Sequence, residues 1–314
     1  MSTNLQPERP RLRHFLHPRL WPALLLLISV RLFSLLPLRV TWLLGLFFGE
    51  LAFRLHKTPT IRTNIRLCFP EKGEQQQRRL VRQYYRRIGQ GFFDLGLAWM
   101  SSPERLRRLV TIKGLEHYRS ALDSGKGVVL LAPHFVGLEI GFARIGLEHA
   151  LAHMYRKPKN ERLHKTLYYF RTRHGGMGFE RYDNLKPLIR FLRQGNGFYY
   201  LPDQDPDHPG KDYVFAPFFG VPAATYTALA RFVELGHAVV IPCFTYQLPK
   251  GAGYEVCLKP PLANFPTGDE MADATIMNQE IEKGVLVHPD QYFWSYRRFK
   301  TRPDNAPSPY VRNK

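Results

Sequence analysis

The chain has 314 residues, 44% hydrophobic and 23% charged, enough apolar material for a full core, which excludes a chain disordered by composition; at ~150 residues per domain, two domains or one large α/β domain are both allowed. Lys and Arg total 45 against 26 Asp and Glu, a formal net charge of +19, which excludes an ordinary near-neutral cytosolic enzyme and points to an anionic partner: nucleic acid, a membrane surface or a phosphorylated substrate. Cys68, Cys243 and Cys257 are too few and too scattered for a disulfide framework or a zinc site, and a reducing compartment is the simplest reading.

In chain order, the first twenty residues carry Arg9, Arg11, Arg13 and Arg19 with one acid, Glu8. An apolar run from Trp21 to Leu36 is interrupted by Arg31, and a second, Val40 to Phe48, follows Pro37 and Arg39. Arg31 and Leu32 stand where an export signal needs small residues for cleavage, so an exported leader is rejected. Residues 20–38 approach the ~20-residue length of a spanning helix only with Arg31 inside, its side chain snorkelling to an interface. Basic residues flank both sides, so charge sets no orientation. A single span, a hairpin and an interfacial helix in one leaflet all stay open. Trp21, Trp42 and the arginines favour a membrane over a buried core helix, and over nucleic acid as the target of the positive charge. Residues 1–55 are therefore expected to form a basic tail and a membrane-anchoring helical segment, with a globular domain over 56–314.

Residues 56–71 read as a basic linker. Residues 73–100 read as a helix, with Leu80, Val81, Tyr84, Tyr85, Ile88, Phe92 and Leu95 on one face. Ser102-Pro103-Glu104 starts another, since Pro fits a first helical turn. After the turn Gly125-Lys-Gly127, the apolar run Val128-Val-Leu-Leu-Ala132 reads as a buried strand. Further strands are expected at 197–201, 238–246 and 254–259, and helices at 137–149, 160–173, 184–194, 224–236 and 268–287. Alternating strands and helices predict an α/β fold with a mainly parallel central sheet flanked by helices, in which chemistry gathers at the carboxyl ends of strands.

There stands Pro133-His134-Phe-Val-Gly-Leu-Glu139, just past the strand Val128–Ala132. Five residues of continuous helix turn ~500°, so the two side chains do not align on a helix. A turn between them lets Glu139 fold back, fix the imidazole tautomer and stabilise the imidazolium while His134 removes a proton. A structural histidine and a solvated glutamate show the same spacing. No Gly-x-Ser-x-Gly elbow is present and no cysteine lies beside the pair, which leaves the nucleophile to the substrate, as a hydroxyl.

Read with Asn64-Ile-Arg-Leu-Cys-Phe-Pro-Glu71, Tyr155-Arg156, Tyr199-Tyr-Leu-Pro-Asp-Gln-Asp205, Tyr292 to Arg302 and, before the apolar segment, His17-Pro-Arg-Leu-Trp21, this motif resembles one family over nearly the whole chain. That family is the late, or secondary, acyltransferases of lipid A biosynthesis, of lauroyl and myristoyl type. It belongs to a wider group of membrane acyltransferases sharing a His-x4-Asp/Glu motif. The resemblance implies transfer of an acyl chain from acyl carrier protein to the hydroxyl of a 3-hydroxyacyl chain on a phosphorylated, Kdo-bearing lipid A precursor. His134 would be the general base and Glu139 its orienting carboxylate, at the cytoplasmic face of the inner membrane of a Gram-negative cell. The 56–314 domain becomes the catalytic domain, facing the cytoplasm. No cofactor, metal or nucleic acid is implied.

Other residues are weighed beside that pair. Arg156 follows a short apolar stretch and is expected to bind a substrate phosphate or to help the oxyanion, because guanidinium matches phosphate in a bidentate way. Asp203 follows the strand at 197–201 and is expected to orient a group or contact a substrate sugar. Asp207 and His208 give no supported metal site. Asp212 to Gly220 is aromatic for a loop and lines an acyl tunnel, touches the membrane or packs in the core. Arg297 and Arg298, with Lys300 and Arg302 among aromatics, are expected to meet anionic head groups or the acidic carrier protein. Two other readings stay in play: an acyltransferase for a lysophospholipid or glycolipid acceptor, and a basic lipid-binding protein without chemistry.

Overall fold

The structure is a computed structural model that describes residues 21–56, 59–180, 184–206 and 212–310. The basic tail before Trp21, with His17, and the pair Asp207 and His208 lie outside the described residues. Two apolar helices come first, α1 (Trp21–Leu35) and α2 (Leu38–Leu55). Pro37 separates them in an extended conformation (φ −60, ψ 143) immediately before the first turn of α2, where its missing N–H costs nothing. The continuous helix considered for 20–38 therefore stops at Leu35. At 1.5 Å per residue the 15 residues of α1 and 18 of α2 reach about 22 and 27 Å, short of the ~30 Å hydrocarbon core of a bilayer. Among the described residues, no helix is long and apolar enough to cross a membrane.

The segment expected as a basic linker folds instead. It carries α3 (Pro59–Cys68), whose buried side is Ile61, Thr63, Asn64, Ile65 and Cys68. Its arginines mask an amphipathic helix: Arg62 and Arg66 are exposed on the far side. The long helix α4 (Glu74–Met100) follows, and α2 lies along it through Gly45 and Gly49 opposite Gly89. A Cβ on Gly45 would stand 2.6 Å from Gln90 Cα, so this crossing needs bare backbone. The outer faces of α1 and α2 are left uncovered: Leu25 is 64% and Phe47 63% exposed, with Leu32, Leu43 and Leu55 equally bare.

The α/β part begins with α5 (Pro103–Leu109), β1 (Val110–Lys113), α6 (Leu115–Asp123) and β2 (Gly127–Leu131). Ser102 caps α5 by accepting the Arg105 N–H at 3.3 Å, with Pro103 in the first turn. Then come α7 (Leu138–Gly146), β3 (Leu151–Tyr155), α8 (Glu161–Thr172), β4 (Gly176–Glu180), α9 (Lys186–Arg193) and β5 (Gly197–Tyr200). A hairpin of β6 (Tyr213–Phe218) and β7 (Val221–Tyr226) precedes α10 (Ala228–Gly236), β8 (Ala238–Gln247), β9 (Tyr254–Leu258) and α11 (Glu270–Val287).

Seven strands form one sheet in the order β1-β9-β8-β2-β5-β3-β4. Strands β8, β2, β5, β3 and β4 run parallel, while β9 pairs antiparallel with β8 and brings β1 parallel to itself. The sheet is thus mostly parallel and covered by helices, as the apolar strand runs predict. β2 and β5 are buried at every residue, which is why they read as continuous apolar runs. The aromatic stretch 212–220 is largely the strand β6, with Ala216 and Phe218 fully buried. Ala216 and Phe218 take the core option, while Tyr213 and Pro217 are exposed. The helix expected over 224–236 starts only at Ala228, because 224–226 pair with β6.

Candidate active site

Sheet register builds the centre. β2 and β5 are parallel neighbours with Leu131 opposite Tyr200. His134 and Asp203 each stand three residues beyond that pair (131 + 3 and 200 + 3), so both leave the sheet at the same level on its carboxyl edge. His134 Nδ1 lies 2.7 Å from Asp203 Oδ1, and the His134 backbone N–H donates to Asp203 Oδ2 at 2.8 Å. Both carboxylate oxygens therefore grip one residue. The Asp203 side chain is 1% exposed and that of His134 13%. Burial opposes ionisation of Asp203, yet the charge His134 can carry and its two hydrogen bonds outweigh it and hold the carboxyl below its usual range. An ionised Asp203 accepts from Nδ1–H and leaves the lone pair on Nε2, beside the Gln204 amide nitrogen at 3.4 Å.

A C-terminal strap fixes the loop that carries His134. The Phe293 N–H donates to His134 O at 2.9 Å and the Val136 N–H to Gln291 O at 2.9 Å. Gln291 is clamped to β8 through its side chain, accepting from Gln247 N–H at 2.7 Å and donating to Gln247 O at 3.0 Å. Asn64 on α3 donates to Trp294 O at 2.7 Å and Tyr296 O at 2.6 Å, and the Tyr84 hydroxyl pairs with Ser295 Oγ at 2.6 Å. So held, Tyr296 packs edge-on against the imidazole, ring centroids 4.9 Å apart. Farther along the strap, Asp205 accepts from both Thr301 N–H and Thr301 Oγ1 at 2.8 Å, tying down the turn that carries Asp203.

His134 opens onto a cleft of about 380 Å³, apolar along Met154, Leu201 and Phe232 and polar at Gln204 and Arg156. A neutral imidazole backed by a buried carboxylate can draw a proton from a hydroxyl there, and the apolar walls suit a hydrocarbon chain. Among the described residues no group of three His, Cys, Asp or Glu side chains is placed to hold a metal.

Glu139 does not take the place expected for it. It lies in the first turn of α7, and its carboxylate faces away from the imidazole toward α8 and the end of α4. Arg171 Nη2 donates to Oε1 at 2.6 Å and Trp99 Nε1 to Oε2 at 3.2 Å. Arg173 braces the same corner by donating to Trp99 O at 2.8 Å. The carboxylate at Nδ1 is that of Asp203, because the side of His134 that carries Nδ1 faces the β2–β5 seam and not the helix that follows.

Of the arginines, Arg156 is exposed at the end of β3 on the rim of the cleft. Arg297 is exposed, its guanidinium 6.0 Å above the Tyr310 ring. Arg298 is a correction: it is 3% exposed and donates to Ala224 O, to Thr225 Oγ1 at 2.9 Å and to Asn278 Oδ1 at 3.3 Å, over the Phe218 ring. It joins β7 to α11 and is closed to a lipid or a carrier protein. Asn64, Gln204 and Tyr296 belong to the segments that carry the resemblance, and the structure gathers them around His134. The equal offset of His134 and Asp203 from two neighbouring apolar strands is the signal that joins those two.

The family model of the bacterial lipid A biosynthesis acyltransferases matches residues 8–301. The chain is 34% identical over 298 residues to the lipid A biosynthesis lauroyltransferase of Escherichia coli (strain K12), spanning 94% of this chain and 96% of that protein. To the palmitoleoyltransferase of the same organism it is 31% identical over 302 residues, 95% and 97% of the two chains. To the myristoyltransferase it is 29% identical over 303 residues, 96% and 93%. With a basic, apolar-faced amino terminus, a parallel sheet carrying His134 on its carboxyl edge and a family match over almost its full length, the chain belongs to the bacterial lipid A biosynthesis acyltransferases.

Proposed function

We propose that the chain transfers a fatty acyl group from acyl carrier protein to the hydroxyl of a 3-hydroxyacyl chain on a phosphorylated, Kdo-bearing lipid A precursor. The observation that carries this reading is the His134–Asp203 pair opening onto an apolar cleft with a cation, Arg156, on its rim. The acceptor hydroxyl gives its proton to His134 Nε2 as its oxygen attacks the thioester carbon. Asp203 keeps the proton on Nδ1 and balances the imidazolium. Collapse of the tetrahedral intermediate expels the pantetheine thiolate, which takes the proton back from His134. Arg156 binds a substrate phosphate, and exposed Arg297 meets anionic head groups or the acidic carrier protein. Three relatives named for lauroyl, palmitoleoyl and myristoyl transfer are similar to this chain at 34%, 31% and 29% identity, so the donor chain length is left unassigned.

In the same reading, residues 1–55 hold the enzyme on the cytoplasmic face of the inner membrane and 56–314 carry the chemistry. Support comes from the bare faces of α1 and α2 and from Arg31, Arg39 and Arg54 exposed on the same two helices. Two successive helices packed on α4, each shorter than the bilayer core, suit insertion into one leaflet with their cations at the head groups.

The test offers the protein acyl carrier protein loaded with several chain lengths, and either tetraacylated lipid A precursor or lysophospholipid, with products read by mass spectrometry. One added chain on the lipid A precursor, lost in His134→Ala, is expected. Transfer to lysophospholipid alone would move the acceptor, and no transfer by folded protein would leave a lipid-binding protein.

A further inference from the structure

The oxyanion formed in that transfer needs a donor, and the backbone around His134 has few N–H groups to spare. That of His134 goes to Asp203 Oδ2, that of Phe135 to Pro133 O, that of Val136 to Gln291 O and that of Leu138 to Phe135 O, which leaves that of Gly137 alone without an acceptor among the described residues from 134 to 138. A side-chain N–H stands closer to the chemistry. Gln204 Nε2 lies 3.4 Å from His134 Nε2 and lines the same cleft. Because Gln204 follows Asp203 directly, one turn presents a carboxylate to one ring nitrogen and an amide to the other. Asp205 clamps that turn through two hydrogen bonds from Thr301. At 3.4 Å the amide–imidazole contact exceeds the 2.7–3.2 Å of a well-formed N–H bond. The amide gives it up at little cost when a hydroxyl takes its place at Nε2.

We propose that the Gln204 side-chain amide is the oxyanion donor of the acyl transfer, an assignment that rests on the reading of function given above. The acceptor oxygen forms its bond to the thioester carbon while its proton passes to His134 Nε2. The carbonyl π pair moves onto oxygen and is met there by the Gln204 N–H. The pair returns as the C–S bond breaks, and the leaving thiolate takes the proton from His134. A donor aimed where charge develops acts on the transition state more than on bound substrate, so its loss falls on kcat.

The test compares Gln204→Ala and Gln204→Glu with the wild-type protein, at saturating acyl thioester and across pH, with thermal melts to establish folding. Both variants are expected to lose about 10²–10³ in kcat with KM little changed. In Gln204→Glu a carboxylate beside Nε2 stabilises the imidazolium, so the acid limb of the residual kcat profile moves to higher pH. A kcat within about threefold of wild type in folded Gln204→Ala, or a loss confined to KM, would overturn the assignment while wild-type transfer leaves the function standing. An inactive wild-type protein would remove both.

Discussion

Two carboxylates flank the start of α7, and their partners differ in kind. Asp203 is buried against an imidazole that can gain and lose a proton. Glu139 is held by a guanidinium that never loses its own and by an indole N–H. The first pair can gain and lose a proton, and its imidazole lines the cleft. The second is a fixed tie between α7, α8 and α4, and stabilises the corner from which the His134 loop departs. Five residues of sequence, from His134 to Glu139, thus separate two carboxylate environments, one beside a titratable ring and one in a fixed ion pair.

The largest expected effect is on the imidazole. His134→Ala should lower acyl transfer ~10²-fold or more, the range for loss of a general base. Asp203→Asn should come next. It keeps the shape, but the amide presents an oxygen or an N–H to Nδ1 without charge, so kcat falls by about the same order and the imidazolium loses its counter-charge. Stability carries a second signature. The folded pKa of Asp203 lies below its unfolded value, so its stabilisation is present above the ordinary carboxylate range, near ~4, and is lost as pH falls through the folded value. Denaturation of Asp203→Asn followed by circular dichroism should show less loss on acidification than wild type.

Glu139→Gln should act chiefly on stability. It removes the charge opposite Arg171 and weakens a partly buried bond, at about 1–3 kcal/mol, with a smaller fall in kcat than Asp203→Asn once melts place both proteins in their folded range. A third carboxylate gives the smallest effect and the opposite sign. Asp94 on α4 is fully enclosed; burial pushes its pKa up to about 7, against hydrogen bonds from Tyr254 and Gln247 that lower it. Its folded pKa is raised, so stability is full below the unfolded value and declines as pH rises through about 7. Asp94→Asn should flatten that decline in urea titrations between acid and mildly alkaline pH.

The sheet was readable because β2, β5 and β8 are apolar along their length, and the edge of the sheet follows from that. Strands β1 and β4 are short and partly exposed, so periodicity has nothing to grip. The α3 helix hid behind its arginines, and the β6–β7 hairpin behind a Pro-rich, aromatic composition. At the site, His134 was legible because it follows a buried strand. Glu139 was the expected partner, five residues away; the carboxylate at Nδ1 sits 69 residues on, and Asp203 is legible in sequence only as an acid after a strand, because parallel pairing is not encoded in local spacing. Arg297 and Arg298 are adjacent in sequence and opposite in burial, a difference set by Asn278 and Thr225 from elsewhere in the chain.

The most direct measurement is kcat for acyl transfer by Asp203→Asn and Glu139→Gln side by side, each at a temperature where its melt shows it folded. A loss near that of His134→Ala is expected for Asp203→Asn and a markedly smaller one for Glu139→Gln. A full loss in Glu139→Gln with Asp203→Asn near wild type would contradict it, and would return the orienting role to Glu139.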